Sequence, residues 1–302
     1  MKYTYKDAGV DVKKGDEFAR EIKRNAIIPE WIIKEPTGYA TILNFTTPKI
    51  AVTADGIGTK ILLHIEFQTW NDAAKDLIAM NYNDLICVGA RPKAFLDYLG
   101  VHSIDGNSKE FVKALIVELE KHDMYLVAGE TAEMPDLYQE NHMDVAGFAI
   151  GEVIKLFEHE KIKPGDYIFA LDASGFHSNG WSLIRKILRK ENININDLPF
   201  NLLEGTRIYS NIIEHFDKIK AMAHVTGGGI LRALRRLLNG RGCNVNLERK
   251  DFVDWILKYV EFSEAISTFN MGYGLIYVSN SKDLPGKIIG KVTEDENLNL
   301  IL

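Results

Sequence analysis

Ile50-Ala-Val-Thr-Ala-Asp55-Gly-Ile-Gly-Thr-Lys60 sets the fold class. Its first four residues are β-branched or small, as a buried strand requires. The run then breaks at an acidic residue and two closely spaced glycines. Gly56 and Gly58 let the backbone turn tightly and approach an anion, while Thr59 and Lys60 supply donors for phosphate oxygens. Asp55 suits Mg²⁺, which takes a few carboxylates together with phosphate oxygens. The spacing is not that of a P-loop, which needs four residues between its first Gly and the Gly-Lys pair. Taken alone, the stretch reads equally well as a Gly-rich β-turn with an exposed Lys.

The same strand-then-turn pattern recurs at Met124–Ala128 before Gly129-Glu130-Thr131, at Tyr167–Leu171 before Asp172-Ala-Ser-Gly175, and at Gly274–Val278. Helical periodicity fills the intervals: Trp70 to Gly89, Lys109 to His122, Trp181 to Arg189 and Ile230 to Leu238. The last stops at Asn239-Gly240, and its Arg232, Arg235 and Arg236 read as a solvated face. Strands alternating with helices predict an α/β protein, and 302 residues are long for one core. The polar Lys161–Asp166 turn suggests a boundary, giving domains 1–157 and 158–302.

Composition narrows the function. Lys and Arg total 36 against 42 Asp and Glu, a net charge of −6, which argues against nucleic-acid or anionic-membrane partners. Two cysteines exclude a disulfide scaffold and fit a reducing cytosol. The polar N-terminus has no apolar signal core, and no apolar run approaches the roughly 20 residues that span a bilayer. A cytoplasmic protein is expected.

Further candidates follow. Asn81-Tyr-Asn-Asp84 lies on a helix, where Asp84 alone reads as a surface carboxylate. Glu130, between a buried strand and a Pro-limited turn, reads as functional. Asp55, Asp84 and Glu130 converging on one site would repel one another unless they held metal, so together they suggest Mg²⁺. In the second half, Ser174-Gly-Phe-His177-Ser178-Asn179-Gly180 and His224-Val-Thr226-Gly227-Gly228-Gly229 each feed a predicted helix. Such loops are either capped turns or phosphate cradles, since free amides and the helix dipole favour an anion there. His177 and His224 are candidates to orient substrate or move protons, and a purely structural role suits either equally well.

Taken in order, Tyr5–Asp11, Asp55–Lys60, Asn83-Asp-Leu, Phe95-Leu-Asp-Tyr98, Gly129–Pro135, Ser174–Gly180, Thr226–Gly229 and Asn270-Met-Gly272 resemble the signature series of the aminoimidazole ribonucleotide synthetase family. The resemblance implies an N-terminal mixed sheet that pairs with a second subunit into a shared barrel, and an α/β C-terminal domain. The implied reaction is ATP- and Mg²⁺-dependent ring closure of formylglycinamidine ribonucleotide by a homodimer. It implies Asp55, Asp84 and Glu130 as metal ligands, Lys60 and Thr59 near the phosphates, and Ser178, Asn179 and Thr226–Gly229 at the ribose phosphate. Lys60, Asp84 and His177 are the catalytic candidates. The chain departs from the family in the sparse glycines of Pro36–Thr41, in residues 190–205 and in a short C-terminus. Competing readings are a formylglycinamidine ribonucleotide synthetase, which is normally much longer, a thiamine-monophosphate kinase, a selenophosphate synthetase, a hydrogenase-maturation factor and a non-catalytic nucleotide-binding subunit.

Overall fold

The computed structural model describes residues 2–8, 10, 12–25, 29–33 and 36–302. Gly9 and Asp11 of the Tyr5–Asp11 motif lie outside the described residues.

Two six-stranded sheets build the molecule. The first contains β1 (Ile32–Ile33), β2 (Thr41–Leu43), β3 (Ile50–Gly56), β4 (Ala90–Val101), β5 (Tyr125–Glu133) and β6 (Met143–Val153), in the order β1-β2-β3-β6-β4-β5. Only β4 and β5 run parallel, so the sheet is mixed. The second contains β7 (Tyr167–Asp172), β8 (Ala221–His224), β9 (Gly242–Asn246), β10 (Tyr273–Ser279), β11 (Lys287–Thr293) and β12 (Leu298–Ile301), ordered β12-β9-β11-β7-β10-β8. The expected two-part α/β architecture is observed.

Helix α1 (Val12–Asn25) precedes the first sheet, and a 3₁₀ turn over Gly58–Lys60 leads from β3 into α2 (Ile61–Phe67). Helices α3 (Trp70–Cys87) and α4 (Gly106–Glu120) cover one face of the first sheet. In the second half, α5 (Trp181–Lys190) and α6 (Gly229–Leu238) follow the two Gly-rich loops as expected. The predicted helices fall within a few residues of the observed ones.

α3 decides how the halves meet. It packs on β3, β4 and β6 and, on its other side, against β8 of the second sheet. From Asp76 to Cys87 every residue is therefore buried, as a helix covered on both sides requires. Its polar residues Asp76, Asn81, Asn83 and Asp84 are all buried. The expectation that Asp84 is a surface carboxylate is thus overturned, because the second sheet covers the face that periodicity alone leaves open.

β5 is a second departure. It runs through Glu133 instead of ending at Ala128, because pairing with β4 continues from Asp97↔Gly129 to Val101↔Glu133. Gly129 and Glu130 are strand residues, not turn residues.

Candidate active site between the two sheets

The inner face of the first sheet carries one row of paired residues: Asp55 opposite Gly147, Gly147 opposite Asp97, and Asp97 opposite Gly129. The glycines make this row possible. A Cβ on Gly129 would stand 1.9 Å from Asp97 Oδ1, and one on Gly147 would meet the Phe95 ring and Asn81 Nδ2. Asn81 reaches down from α3 and clamps β3. Its Oδ1 accepts from Asp55 N–H at 3.1 Å, and its Nδ2 donates to Asp55 O at 3.2 Å. The Asp55 carboxylate accepts from Gly56 N–H at 2.7 Å. Burial, and next the charge of Asp84, push the Asp55 carboxyl up to about 6. A carboxylate whose proton affinity is raised by burial and by a neighbouring carboxylate is suited to share a cation with that neighbour.

Asp84 is held by the second half. His224 Nδ1 lies 2.9 Å from Asp84 Oδ1, and Asn83 Nδ2 lies 3.3 Å from His224 Nε2. The amide nitrogen can only donate, so Nε2 accepts and Nδ1 carries the proton given to Asp84. Asn83 also donates to Arg207 O and accepts from Tyr209 N–H, fastening α3 to the second half. Burial raises the Asp84 carboxyl, while the His224 hydrogen bond and the charge of Arg236 oppose the rise. Tyr39 donates 2.8 Å to His224 O and so closes the joint from the β2 side.

Two residues beyond His224 the Thr226–Gly229 loop begins. Gly228 starts α6 at φ +92°, a conformation open to glycine. A Cβ on Gly227 would lie 3.7 Å from Asn179 Oδ1, so the two Gly-rich loops sit side by side. Asn179 Nδ2 is buried without a hydrogen-bond partner, which marks a donor aimed at a missing acceptor. His177 accepts from Ser174 N–H through Nε2 at 3.1 Å and has φ +56°. Burial, followed by the charges of His224 and Lys60, holds its imidazole well below the usual range.

Lys60 points away from this cleft. It is fully buried, 2.7 Å from Asp76 Oδ2, and donates to Glu204 O at 2.9 Å. Asp76 also receives His64 Nε2 at 2.8 Å, Thr206 N–H at 2.8 Å and Thr206 Oγ1 at 2.6 Å. Ser178 bonds Thr206 at 3.1 Å, and exposed Thr59 meets Ser182 of α5 at 3.2 Å. This second junction locks the loop after β3 to the second half.

Glu130 is not brought together with Asp55 and Asp84. It pairs with Tyr98, which pairs with Ala146, one residue out of step with the Asp55 row. Strand alternation therefore places it on the outer face of the sheet, where it is exposed. Among the described residues, no group of three His, Cys, Asp or Glu side chains is arranged to hold a metal ion. Sequence reasoning passed over Asp76, Asn81, Asn83, Asp97 and Tyr39 as site-building residues. The polar side chains at 76, 81 and 83, within the largely apolar second half of α3, were the available signal for three of them.

Residues 38–153 match the family described as AIR synthase related protein, N-terminal domain, and residues 163–302 match its C-terminal domain. A phosphoribosylformylglycinamidine cyclo-ligase of Finegoldia magna is 37% identical, covering 94% of this chain and 91% of that protein. The protein of the same name from Methanosarcina acetivorans is 35% identical, covering 96% and 95%. A solved structure described as AaThiL complexed with AMPPCP and TMP superposes with a TM-score of 0.65 at 15% identity, covering 94% of this chain and 91% of that one, and shows a shared fold. With both halves matched and this identity over nearly its whole length, the chain belongs to the phosphoribosylformylglycinamidine cyclo-ligase family of AIR synthase related proteins.

Proposed function

We propose that this chain closes the imidazole ring of formylglycinamidine ribonucleotide at the expense of ATP, as the names of its relatives indicate. The observation that carries the reading is the 2.9 Å contact between His224 and Asp84. It sets Asp84 of α3, whose charge acts on Asp55 of the first sheet, close to the Thr226–Gly229 loop of the second half. One cleft then holds both a cation-binding end and a phosphate-binding end.

An amide oxygen is a poor leaving group. Transfer of the γ-phosphoryl to the formyl oxygen makes it a good one, and the internal amidine nitrogen then attacks the formyl carbon, forming the C–N bond as the C–O bond to phosphate breaks. Mg²⁺ would neutralise phosphoryl charge. The donor set fits it, since it keeps its waters and needs only one or two protein carboxylates. Asp55 and Asp84 would hold it, with Asp97 along the same sheet face. His224 fixes the orientation of Asp84. Gly56, Gly58 and Thr59 sit between the cleft and the α5 junction, where they would line the path of the triphosphate. Asn179, Ser178, Thr226, Gly227 and Gly228 would receive the ribose phosphate at the ends of α5 and α6. No protein nucleophile is required, because both reacting groups belong to one substrate and positioning supplies the acceleration. His177 would serve as a neutral donor through Nδ1. Lys60 would act indirectly, by fixing the loop that carries Thr59.

A second copy would cover the outer face of the first sheet, where Phe148, Tyr125 and Val127 are exposed and Glu130 stands. Among the described residues no helix is long and apolar enough to cross a membrane. Cys87 and Cys243 are buried thiols, which suits a reducing cytoplasm. We also place the domain division at 157/158, between β6 and β7.

Steady-state ADP release with formylglycinamidine ribonucleotide tests the reading. Turnover with this substrate and none with thiamine monophosphate is expected; the reverse pattern would overturn it, and ATP binding without turnover would point to a non-catalytic subunit.

A further inference from the structure

The three arginines of α6 have different surroundings, which periodicity does not reveal. Arg232 turns back to pair with Asp16 of α1. Arg235 is exposed and lines a separate cavity with Leu231, Gly240 and Arg241. Arg236 turns toward Tyr39 and Asp84, at the joint between the two halves. Its guanidinium carbon lies 4.9 Å from the centroid of the Tyr39 ring, and Tyr39 is itself buried and pinned to His224 O. The charge of Arg236 also bears on Asp84. Among the described residues no carboxylate forms an ion pair with it, and it is only partly buried. A guanidinium held against an aromatic ring, with one N–H engaged by the Tyr39 hydroxyl, keeps its plane fixed while its remaining donors stay available. It sits on the same helix as the Gly227–Gly229 loop, two turns further along, beside a carboxylate that would otherwise repel an incoming phosphate.

We propose that Arg236 is a phosphate-contacting residue of the cleft, oriented by Tyr39 to grip phosphoryl oxygens by its planar fork. The inference rests on the ATP-dependent reading above and extends it to a residue whose sequence context suggested only a solvated surface. The phosphate has two possible sources, ATP and the ribonucleotide substrate.

Arg236→Ala and Arg236→Lys test it in the full-length chain. Calorimetric titration with Mg²⁺ and a non-hydrolysable ATP analogue, without ribonucleotide, reads one source. The KM for formylglycinamidine ribonucleotide at saturating ATP reads the other. Loss of a charge-assisted contact should weaken one of these by at least about tenfold in the Ala variant, and kcat should fall with it. The Lys variant keeps the charge but lacks the fork, so it should recover only part of the loss. Should Arg236→Ala fail to fold, the Lys variant decides: a normal melting temperature with weakened binding of either ligand supports the proposal. Both constants within about twofold of wild type, or losses that only track a lowered melting temperature, overturn it. Analogue binding that depends on Arg236, in a protein that releases no ADP with the ribonucleotide, would sink the ring-closing reading and leave this one standing.

Discussion

Lys60 Nζ stands 2.7 Å from Asp76 Oδ2, and neither side chain reaches solvent. A buried pair of this kind holds only while both members are present, because the survivor is left as an uncompensated charge. Asp76 is the richer of the two, since it also serves His64 and Thr206. Asp76→Asn is therefore expected to cost about 3–5 kcal/mol, measured by chemical denaturation. A loss below about 1 kcal/mol would show that the junction does not hold the halves together.

The acid limb of stability should carry the signature of the same residue. Burial alone would raise the Asp76 carboxyl, but Lys60 and His64 outweigh it and hold it at about 2, below the ordinary 3.8. A depressed carboxyl stabilises the fold above its unfolded value, and that contribution disappears as pH falls from about 4 toward 2. Asp55 works in the opposite sense. Its carboxyl is raised to about 6, so its contribution is full below 3.8 and is lost as pH rises through 6. Melting temperatures of the ligand-free protein should accordingly fall between pH 4 and 6, and Asp55→Asn should flatten that slope. The same variant should release no ADP; near-wild-type turnover would remove Asp55 from the cation site.

Gly129 tests the sheet row more locally. An alanine there would drive the Asp97 carboxylate out of its place, since the added Cβ would lie 1.9 Å from Oδ1. Gly129→Ala and Asp97→Ala should then impair turnover to a similar degree. The double variant should be no worse than either one, a coupling expected of groups in contact. Additive losses in ADP release would separate the glycine from Asp97.

The sequence made the elements legible but not their mutual faces. Strand-to-turn runs located β3, β7 and β10, and helical spacing located α3 to α6, because these signals are local. Asp55 and the Thr226–Gly229 loop were found for the same reason. Misplacement came from contacts between distant segments. Asp84 looked solvated until β8 covered it, and Lys60 looked free for phosphate until Asp76, Thr206 and Glu204 enclosed it. Glu130 falls on the face opposite Asp55 for another reason: β5 continues past Gly129, and one residue of strand reverses the face.

Asn179 gives the most direct check on where substrate sits. Its Nδ2 is buried with no partner, beside Gly227, and a donor left so in the free protein costs stability that a ligand oxygen would recover. Asn179→Asp replaces the donor with a negative acceptor of the same size. No hydrogen bond of the folded chain is given up at that atom, so any fall in the variant's melting temperature reports the burial of the new carboxylate and should shrink at acid pH as the carboxyl protonates. Its KM for the ribonucleotide should rise by roughly tenfold or more, from the lost donor and the added repulsion of phosphate. The KM for ATP should change much less if the two phosphates occupy opposite ends of the cleft. An unchanged ribonucleotide KM would remove Asn179 from the phosphate end and leave α6 alone to supply it.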